Sequence, residues 1–322
     1  MLLVLLNNIN TRGKGIIMKY LIIGTGGIGA SIGGFLASNN NDVDFIARGE
    51  NLEHIKKHGL KIKSGIKGEL NLPKIRAFSS EEYVDKADVI FICVKSYSIN
   101  DIIPIIKNVS HENSLVIPLM NGYGVGEKMN NSLNGIKVID GCIYISAFID
   151  APGSIVQLGS LFKIVFGTRK GIQIDSNILN DIKNTLVDCG INTILSEKIE
   201  ADTFQKFSFV SPCAACGAYY DITVEAMQED GEYRETFKEL CEEIKQIGNK
   251  LELNFDVDIT EASLKVLDSL NPDSTSSMQK DIKAGRKAEI DGQIFDVVRL
   301  AKNLGVEIPV YYKIAKHFGY AL

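Results

Sequence analysis

A glycine-rich hexapeptide, Gly24-Thr-Gly-Gly-Ile-Gly29, is the first group of residues whose types and spacing indicate a chemistry. It joins an apolar strand pattern at 20–24 to a helical pattern at 28–37, which is the context that a dinucleotide-binding loop requires. Gly24 permits the tight turn, Gly26 lets the backbone approach a pyrophosphate, and Gly29 lets the helix pack on its strand. The free N–H groups of the helix N-terminus attract phosphate. The residues expected to bind the cofactor here are Gly24, Thr25, Gly26, Gly27, Ile28 and Gly29.

Arg48 bears on which dinucleotide is bound. Enzymes that use NAD place an acidic residue at the end of the second strand, about 20 positions after the loop, where it binds the ribose hydroxyls. This sequence has Arg48 there, and a guanidinium pairs well with a phosphate. Asp42 and Asp44 lie earlier in the strand and are expected to face elsewhere. The sequence therefore favours NADP, with an ordinary surface arginine as the alternative.

Apolar strand patterns alternate with helical stretches through the first half of the chain. They cover residues 20–24, 43–47, 89–94 and 115–120. This alternation predicts a parallel, doubly wound sheet. Residues 137–167 are rich in strand and turn signals and are expected to add partly antiparallel strands.

After about Glu197 the pattern becomes helical. Apolar residues recur at helical spacing through 237–251, and 258–270 reads as another helix with Asp258 and Glu261 placed like a capping box. A last long helix is expected to stop at Gly305.

The predicted fold class is α/β, with an N-terminal Rossmann-type doubly wound sheet followed by an all-helical C-terminal domain. Met18 directly precedes the first strand and is expected to be the working start. The expected division is a non-native or disordered leader at 1–17, an NADP-binding Rossmann-type domain at 18–197, and a helical substrate and dimerisation domain at 198–322.

Composition excludes several classes of protein. The 322 residues carry a net charge of −5, so no general attraction to nucleic acid or anionic lipid is expected. No apolar run is long enough to span a membrane. Six scattered cysteines indicate a reduced, cytoplasmic protein. Cys213-Ala-Ala-Cys216 is interpreted as helix packing, and with no histidine in ligand spacing, no metal site is predicted.

From Met18 to about Tyr312 the sequence resembles the ketopantoate reductase (2-dehydropantoate 2-reductase) family. Besides the glycine loop and Arg48, the resemblance rests on short motifs in a fixed order. They are Cys93-Val-Lys95, Met120-Asn-Gly122, Ser146-Ala147, Phe204-Gln-Lys-Phe207, and Ser276-Ser-Met278 through Glu289-Ile-Asp291. The resemblance implies NADPH-dependent reduction of 2-dehydropantoate to pantoate in pantothenate and coenzyme A biosynthesis. Whether the protein is a homodimer stays open.

The resemblance also implies roles for individual residues. Lys206 is expected to be the catalytic proton donor to the keto oxygen of the substrate, and Asn121 to contact both nicotinamide and substrate. An ammonium in reach of that oxygen can stabilise and protonate the charge that hydride transfer creates. Burial, or a neighbouring cation such as Lys95, would lower the pKa of Lys206 toward a useful range. Lys95 itself is expected near the cofactor.

Three further residues complete the expected site. Ser277 is implied to bind substrate, Glu289 to act in catalysis by closing the site over cofactor and substrate, and Ala147 to contact the cofactor through its backbone. A continuous helix would place Ser277 and Glu289 about 18 Å apart. Because both are expected at one small substrate, the helix should break, and Gly285 is the expected place.

The sequence departs from the family where substrate is bound. Asparagines are usual four and eight residues after the catalytic lysine, but Val210 and Ala214 stand there, with Cys213 close to the same face. Pro212 is expected to break the hydrogen-bond ladder of this helix locally. A more apolar wall leaves three functions open: ketopantoate reduction, reduction of another small 2-keto acid, and NADPH sensing without catalysis.

Overall fold

The computed structural model describes residues 18–321, so the predicted leader at 1–17 lies outside the described residues. The strands in chain order are β1 Lys19–Ile23, β2 Asp42–Ile46, β3 Leu60–Ser64, β4 Gly68–Leu72, β5 Arg76–Phe78, β6 Ala87–Ile92, β7 Ser110–Pro118, β8 Lys137–Val138, β9 Asp140–Ala151, β10 Ser154–Gly167 and β11 Asn192–Leu195. The helices are α1 Gly27–Ser38, α2 Gly49–His58, α3 Ile99–Val109, α4 Val125–Ser132, α5 Ser176–Asp188, α6 Ile199–Tyr220, α7 Val224–Gln228, α8 Glu232–Lys250, α9 Ile259–Ser269, α10 Ser277–Lys283, α11 Asp296–Leu304 and α12 Pro309–His317.

The first sheet is parallel throughout and has the strand order β5-β2-β1-β6-β7-β8. Numbered within this sheet alone, that order is 3-2-1-4-5-6, as in doubly wound dinucleotide-binding folds. Side chains alternate along β1, so Tyr20 and Ile22 join a core with α1, whereas Leu21 and Ile23 join a core with α3 and α4. Burial on both faces explains why β1 is continuously apolar.

A second sheet is built around the β9–β10 hairpin, whose strands pair antiparallel. On its other side β10 pairs in parallel with β3 and then with β11. The expected antiparallel strands at 137–167 are therefore confirmed. The strands β3 and β4 were not predicted, because their alternating lysines and polar residues lie half in solvent and give little apolar signal.

Helices occupy the chain from α6 onward, which confirms the predicted fold class. Two details differ from prediction. The last predicted helix is divided, since a π-helical turn at Asp291–Phe295 precedes α11, and a further helix, α12, begins at Pro309. Proline fits the first turn of a helix, because the N–H that it lacks would have no helical partner there.

Three further features bear on the sequence predictions. The side chain of Asp258 caps α9 by accepting the N–H groups of Thr260 and Glu261. The cysteines are all free thiols, and burial raises the pKa of Cys213 and Cys216 to about 12. Among residues 18–321, no helix has both the length and the apolar character needed to cross a membrane.

Candidate active site

The glycine loop forms a tight turn between β1 and α1. Gly24 has φ +99°, and its N–H donates to the Ile46 carbonyl at 3.1 Å. A Cβ on Gly24 would lie 2.9 Å from the Cys93 carbonyl, and one on Gly29 would collide with the Gly24 oxygen. A Cβ on Gly26 would meet nothing within 4 Å, so that side of the loop is open. Since no side chain caps α1, its terminal N–H groups remain free for an anion, and the loop fits a pyrophosphate.

The β9–β10 hairpin lies across the same loop. A Cβ on Gly27 would collide with the backbone carbonyl of Ala147 and lie 2.7 Å from the Phe148 nitrogen. The backbone at Ala147 thus packs against Gly27 of the loop, and its contact with the cofactor stays a prediction.

Arg48 lies two residues after β2, at the N-cap of α2, where it is exposed and has an extended backbone. It forms no ion pair with another residue of the described range. The neighbouring carboxylates face elsewhere, as expected: Asp42 and Asp44 both bind Arg76 on β5. The end of β2 therefore presents a free guanidinium, which suits a 2′-phosphate better than ribose hydroxyls alone.

Lys206 lies on α6 and faces the end of β7. Its Nζ donates a hydrogen bond of 2.8 Å to Oδ1 of Asn121. Within the described part of the chain, no carboxylate lies within 4 Å of this ammonium. A small cleft opens beside the pair, lined by Met120, Asn121, Gly122, Cys142, Thr203, Lys206, Phe207 and Val210.

Burial lowers the pKa of Lys206 below the usual lysine value, and only the Cys142 thiol and the Glu289 carboxylate oppose the shift. The alternative cause, a nearby Lys95 cation, is wrong for this structure. Lys95 is neutralised by two carboxylates, with Nζ 3.1 Å from Asp281 Oδ2 and 3.1 Å from Glu289 Oε2. Burial alone would lower the pKa of Lys95, but these carboxylates outweigh burial and raise it.

Glu289 is buried with 3% exposure and connects the helical part to the loop after β6. Its Oε1 accepts the backbone N–H of Ser96 at 2.9 Å, while Oε2 binds Lys95. The carboxylate therefore holds the loop after β6 against the helical part of the chain, and it forms no hydrogen bond with Lys206.

The predicted helix break is confirmed. Helix α10 ends at Lys283, and Gly285 adopts φ +63°, which favours glycine. Ser277, at the start of α10, is exposed, and its hydroxyl forms no hydrogen bond with the rest of the described chain. The structure brings α10 to Lys95 through Asp281, whose Oδ2 accepts from Nζ at 3.1 Å, and the role of Ser277 in substrate binding stays a prediction.

Sequence reasoning missed Asp281, although the residue lies four positions after Ser277. That spacing places both on one helical face, which was the available signal. Cys142 and Thr203 of the cleft were also missed, because neither type suggested chemistry at its position.

The two substitutions on α6 have different surroundings. Val210 lines the cleft, as expected for a substrate-facing residue. Ala214 is only 1% exposed and belongs to the helical core, so its expected place in the substrate wall is wrong. The helix continues past Pro212, and the Ser208 carbonyl, which lacks its usual partner, accepts from the Ser263 hydroxyl at 3.3 Å.

The family of this chain is shown by comparison with known proteins. The fold and site define a doubly wound dinucleotide-binding protein with a helical second part and a lysine in the cleft. Residues 20–171 match the family model described as "Ketopantoate reductase PanE/ApbA", and residues 198–318 match "Ketopantoate reductase PanE/ApbA C terminal". The chain belongs to the ketopantoate reductase family and is an oxidoreductase.

Two relatives align over nearly their whole length. An uncharacterized oxidoreductase, YkpB, of Bacillus subtilis is 28% identical over 91% of this chain and 95% of its own. The 2-dehydropantoate 2-reductase of Aquifex aeolicus is 28% identical over 93% of this chain and 96% of its own.

Solved structures share the fold. A ketopantoate reductase from Ralstonia eutropha has a TM-score of 0.84 at 21% identity, over 93% of this chain and 97% of its own. The structure of D-mandelate dehydrogenase with NADH and anilino(oxo)acetate has a TM-score of 0.84 at 20% identity, over 93% of this chain and 96% of its own. A dimeric ketopantoate reductase from Staphylococcus aureus has a TM-score of 0.79 at 19% identity, over 93% of this chain and 97% of its own.

Proposed function

We propose that the protein reduces 2-dehydropantoate to pantoate with NADPH, as a cytoplasmic step of pantothenate and coenzyme A biosynthesis. One observation carries the proposal: the half-buried Lys206 ammonium is held by Asn121 and faces a small cleft. A lysine with a lowered pKa and no carboxylate partner is suited to donate a proton.

When bound, the reduced nicotinamide supplies the hydride for the keto carbon. Lys206 then hydrogen bonds the keto oxygen, stabilises the negative charge that develops there, and delivers a proton from Nζ. Asn121 orients Nζ through the 2.8 Å bond to its Oδ1. Because no carboxylate among residues 18–321 forms an ion pair with this ammonium, its charge is available to the oxygen.

The remaining assignments follow the chain in two parts. We assign the cofactor to residues 18–197, with phosphates on the glycine loop, the 2′-phosphate on Arg48, and Lys95, Asn121 and Ala147 around the nicotinamide half, where Glu289 of the helical part also contributes. Residues 198–322 supply Lys206 and Ser277 for substrate and Glu289 to close the site. A homodimer belongs to this proposal, in line with the dimeric relative from Staphylococcus aureus.

A second substrate is favoured by one observation. Val210 lines the cleft next to Lys206, where the family usually has an asparagine. A substrate hydroxyl left without a partner there costs about 1–3 kcal/mol. A 2-keto acid with an apolar end, such as 2-ketoisovalerate, avoids this cost and is the alternative substrate on the same fold.

A steady-state assay of cofactor oxidation tests the proposal. The purified protein is given NADPH or NADH with a panel of 2-keto acids that includes 2-dehydropantoate, 2-ketoisovalerate and pyruvate. The highest kcat/KM is expected for 2-dehydropantoate with NADPH. A higher value for 2-ketoisovalerate would select the alternative, and no turnover with any 2-keto acid would reject both.

A further inference from the structure

Asn51 joins three segments that border the proposed cofactor site, and neither the sequence motifs nor the proposed chemistry uses it. It lies in the first turn of α2, three residues after Arg48, and is half-buried. Its Nδ2 donates to the Thr25 carbonyl at 2.9 Å and to the Thr25 hydroxyl at 3.0 Å. Its Oδ1 accepts the Gly153 N–H at 2.8 Å.

These bonds fix the glycine loop relative to its surroundings. Thr25 is the second residue of that loop and is 6% exposed. Gly153 has φ +68° in the turn of the β9–β10 hairpin, the same hairpin whose Ala147 backbone lies against Gly27. One amide thus ties the loop, the turn that carries Arg48, and the hairpin together.

The chemistry of the side chain is specific. A side-chain amide has an NH₂ group that donates and an oxygen that accepts. Here the NH₂ group donates both bonds to Thr25, and the oxygen accepts the bond from Gly153. A carboxylate of equal shape would accept from Gly153 and from the Thr25 hydroxyl, but it would repel the Thr25 carbonyl oxygen that Nδ2 now binds. An isobutyl group of similar size would do neither.

We propose that Asn51 is a positioning residue that sets the distance between the phosphate-binding loop and Arg48, and with it the preference for a 2′-phosphorylated dinucleotide. This inference rests on the proposed use of NADP. A ligand that carries both a 5′- and a 2′-phosphate must match that distance, whereas one with a 5′-phosphate alone need not. Loss of Asn51 should therefore weaken the first ligand more than the second.

Calorimetric titration of the full chain with 2′,5′-ADP and with 5′-AMP tests this. Asn51→Leu and Asn51→Asp should bind 2′,5′-ADP roughly 10- to 100-fold more weakly, with a clearly smaller loss for 5′-AMP. With NADPH and substrate, KM for NADPH should rise while kcat changes little. Asn41→Leu is the matched control, since Asn41 donates to the Leu36 carbonyl and to Cys189 at the other end of α1.

Each outcome decides the proposal. A reduced 2′,5′-ADP preference in a folded Asn51 variant, with Asn41→Leu unchanged, supports it. An unchanged preference in a folded Asn51 variant overturns it. If neither variant folds by circular dichroism while Asn41→Leu does, Asn51 serves folding itself and the positioning role is rejected. If the unaltered protein binds both ligands alike, the NADP assignment fails first and the inference with it.

Discussion

At the scale of single residues, Lys206 is a cation held by an amide instead of a carboxylate. The bond to Asn121 fixes the direction of Nζ without neutralising it, while burial lowers its pKa. Lys95 shows the opposite arrangement, since Asp281 and Glu289 raise its pKa and hold it charged. Of the two lysines, Lys206 is thus the one suited to give up a proton.

Replacing Lys206 by alanine tests this difference. The loss of a positioned proton donor should reduce kcat about 10²–10⁴-fold. NADPH binding, followed by nicotinamide fluorescence, should change little because the phosphate-binding residues stay intact. Near-normal turnover in Lys206→Ala would mean that another group protonates the product.

The second prediction at this scale concerns Arg48 and the choice of cofactor. Its exposed guanidinium has no carboxylate partner within residues 18–321, so a 2′-phosphate would meet a free charge. Arg48→Asp should reverse the charge and remove most of the preference for NADPH over NADH. The ratio of kcat/KM for the two cofactors measures this, with Arg76→Ala as a control, because Arg76 is already paired with Asp42 and Asp44. Equal use of both cofactors by the unaltered protein would contradict the assignment.

At the scale of elements, α6 carries the proposed catalytic lysine and also forms the centre of the helical core. Its first half faces the cleft, and residues 211–217 are buried. Pro212 removes one helical hydrogen bond, but the Ser263 hydroxyl takes the free carbonyl of Ser208. The helix therefore stays continuous, and the orientation of Lys206 is set by the core beneath it.

The docking of α12 depends on one buried carboxylate. Glu243 on α8 is 5% exposed, and its two oxygens accept the N–H groups of Val310 at 2.7 Å and Tyr311 at 2.8 Å. Glu243→Ala leaves these donors unpaired and should lower the free energy of unfolding by about 1–3 kcal/mol. Urea denaturation measures the loss. Glu239→Ala, an exposed site one turn earlier on α8, should stay within about 0.5 kcal/mol.

The same carboxylate gives a pH dependence. Burial raises the pKa of Glu243, and the N–H groups of Tyr311 and Val310 oppose the shift without cancelling it. The folded protein therefore keeps a proton that the unfolded chain releases, so this group's contribution to stability falls as pH rises from the ordinary carboxyl pKa through the raised one. Glu243→Gln does not titrate, so its stability relative to the unaltered protein should improve with rising pH across that window. A constant difference would show that the pKa is not raised.

At the scale of the whole molecule, the cleft exists only where the two parts of the chain meet. Asn121 and Lys95 come from the ends of parallel strands, whereas Lys206, Asp281 and Glu289 come from the helical part. The bonds between Lys206 and Asn121, and between Glu289 and Lys95 with Ser96, cross this boundary. The geometry around Lys206 therefore depends on contacts between the two parts of the chain.

Replacing Val210 or Ala214 by asparagine tests which of the two residues lies at the substrate and which lies in the core. Val210→Asn places an amide in the cleft and should raise kcat/KM for 2-dehydropantoate relative to 2-ketoisovalerate, by up to about tenfold. Ala214→Asn buries an amide among apolar side chains and should mainly lower the melting temperature. A change of substrate preference in Ala214→Asn without loss of stability would place that residue at the substrate after all.

The sequence by itself determined the local features whose cause is local. Glycines in a strand-to-helix turn, a basic residue ending β2, and helical spacing of apolar residues each depend on a few neighbouring positions. The break at Gly285 also followed, because two residues expected at one ligand could not lie at opposite ends of a straight helix. The strands β3 and β4 escaped this reasoning because apolar residues alternate with polar ones along both, so neither forms a continuous apolar run.

Only the tertiary structure decided which groups meet across distant segments. Lys95 could have been the cation that lowers the pKa of Lys206, but it is paired with Asp281 and Glu289, which lie more than 180 residues away in sequence. Val210 and Ala214 look alike in sequence, yet one lines the cleft and the other is enclosed by the core. Electrostatics and burial depend on distance in space, and packing sets that distance only once the whole chain has folded.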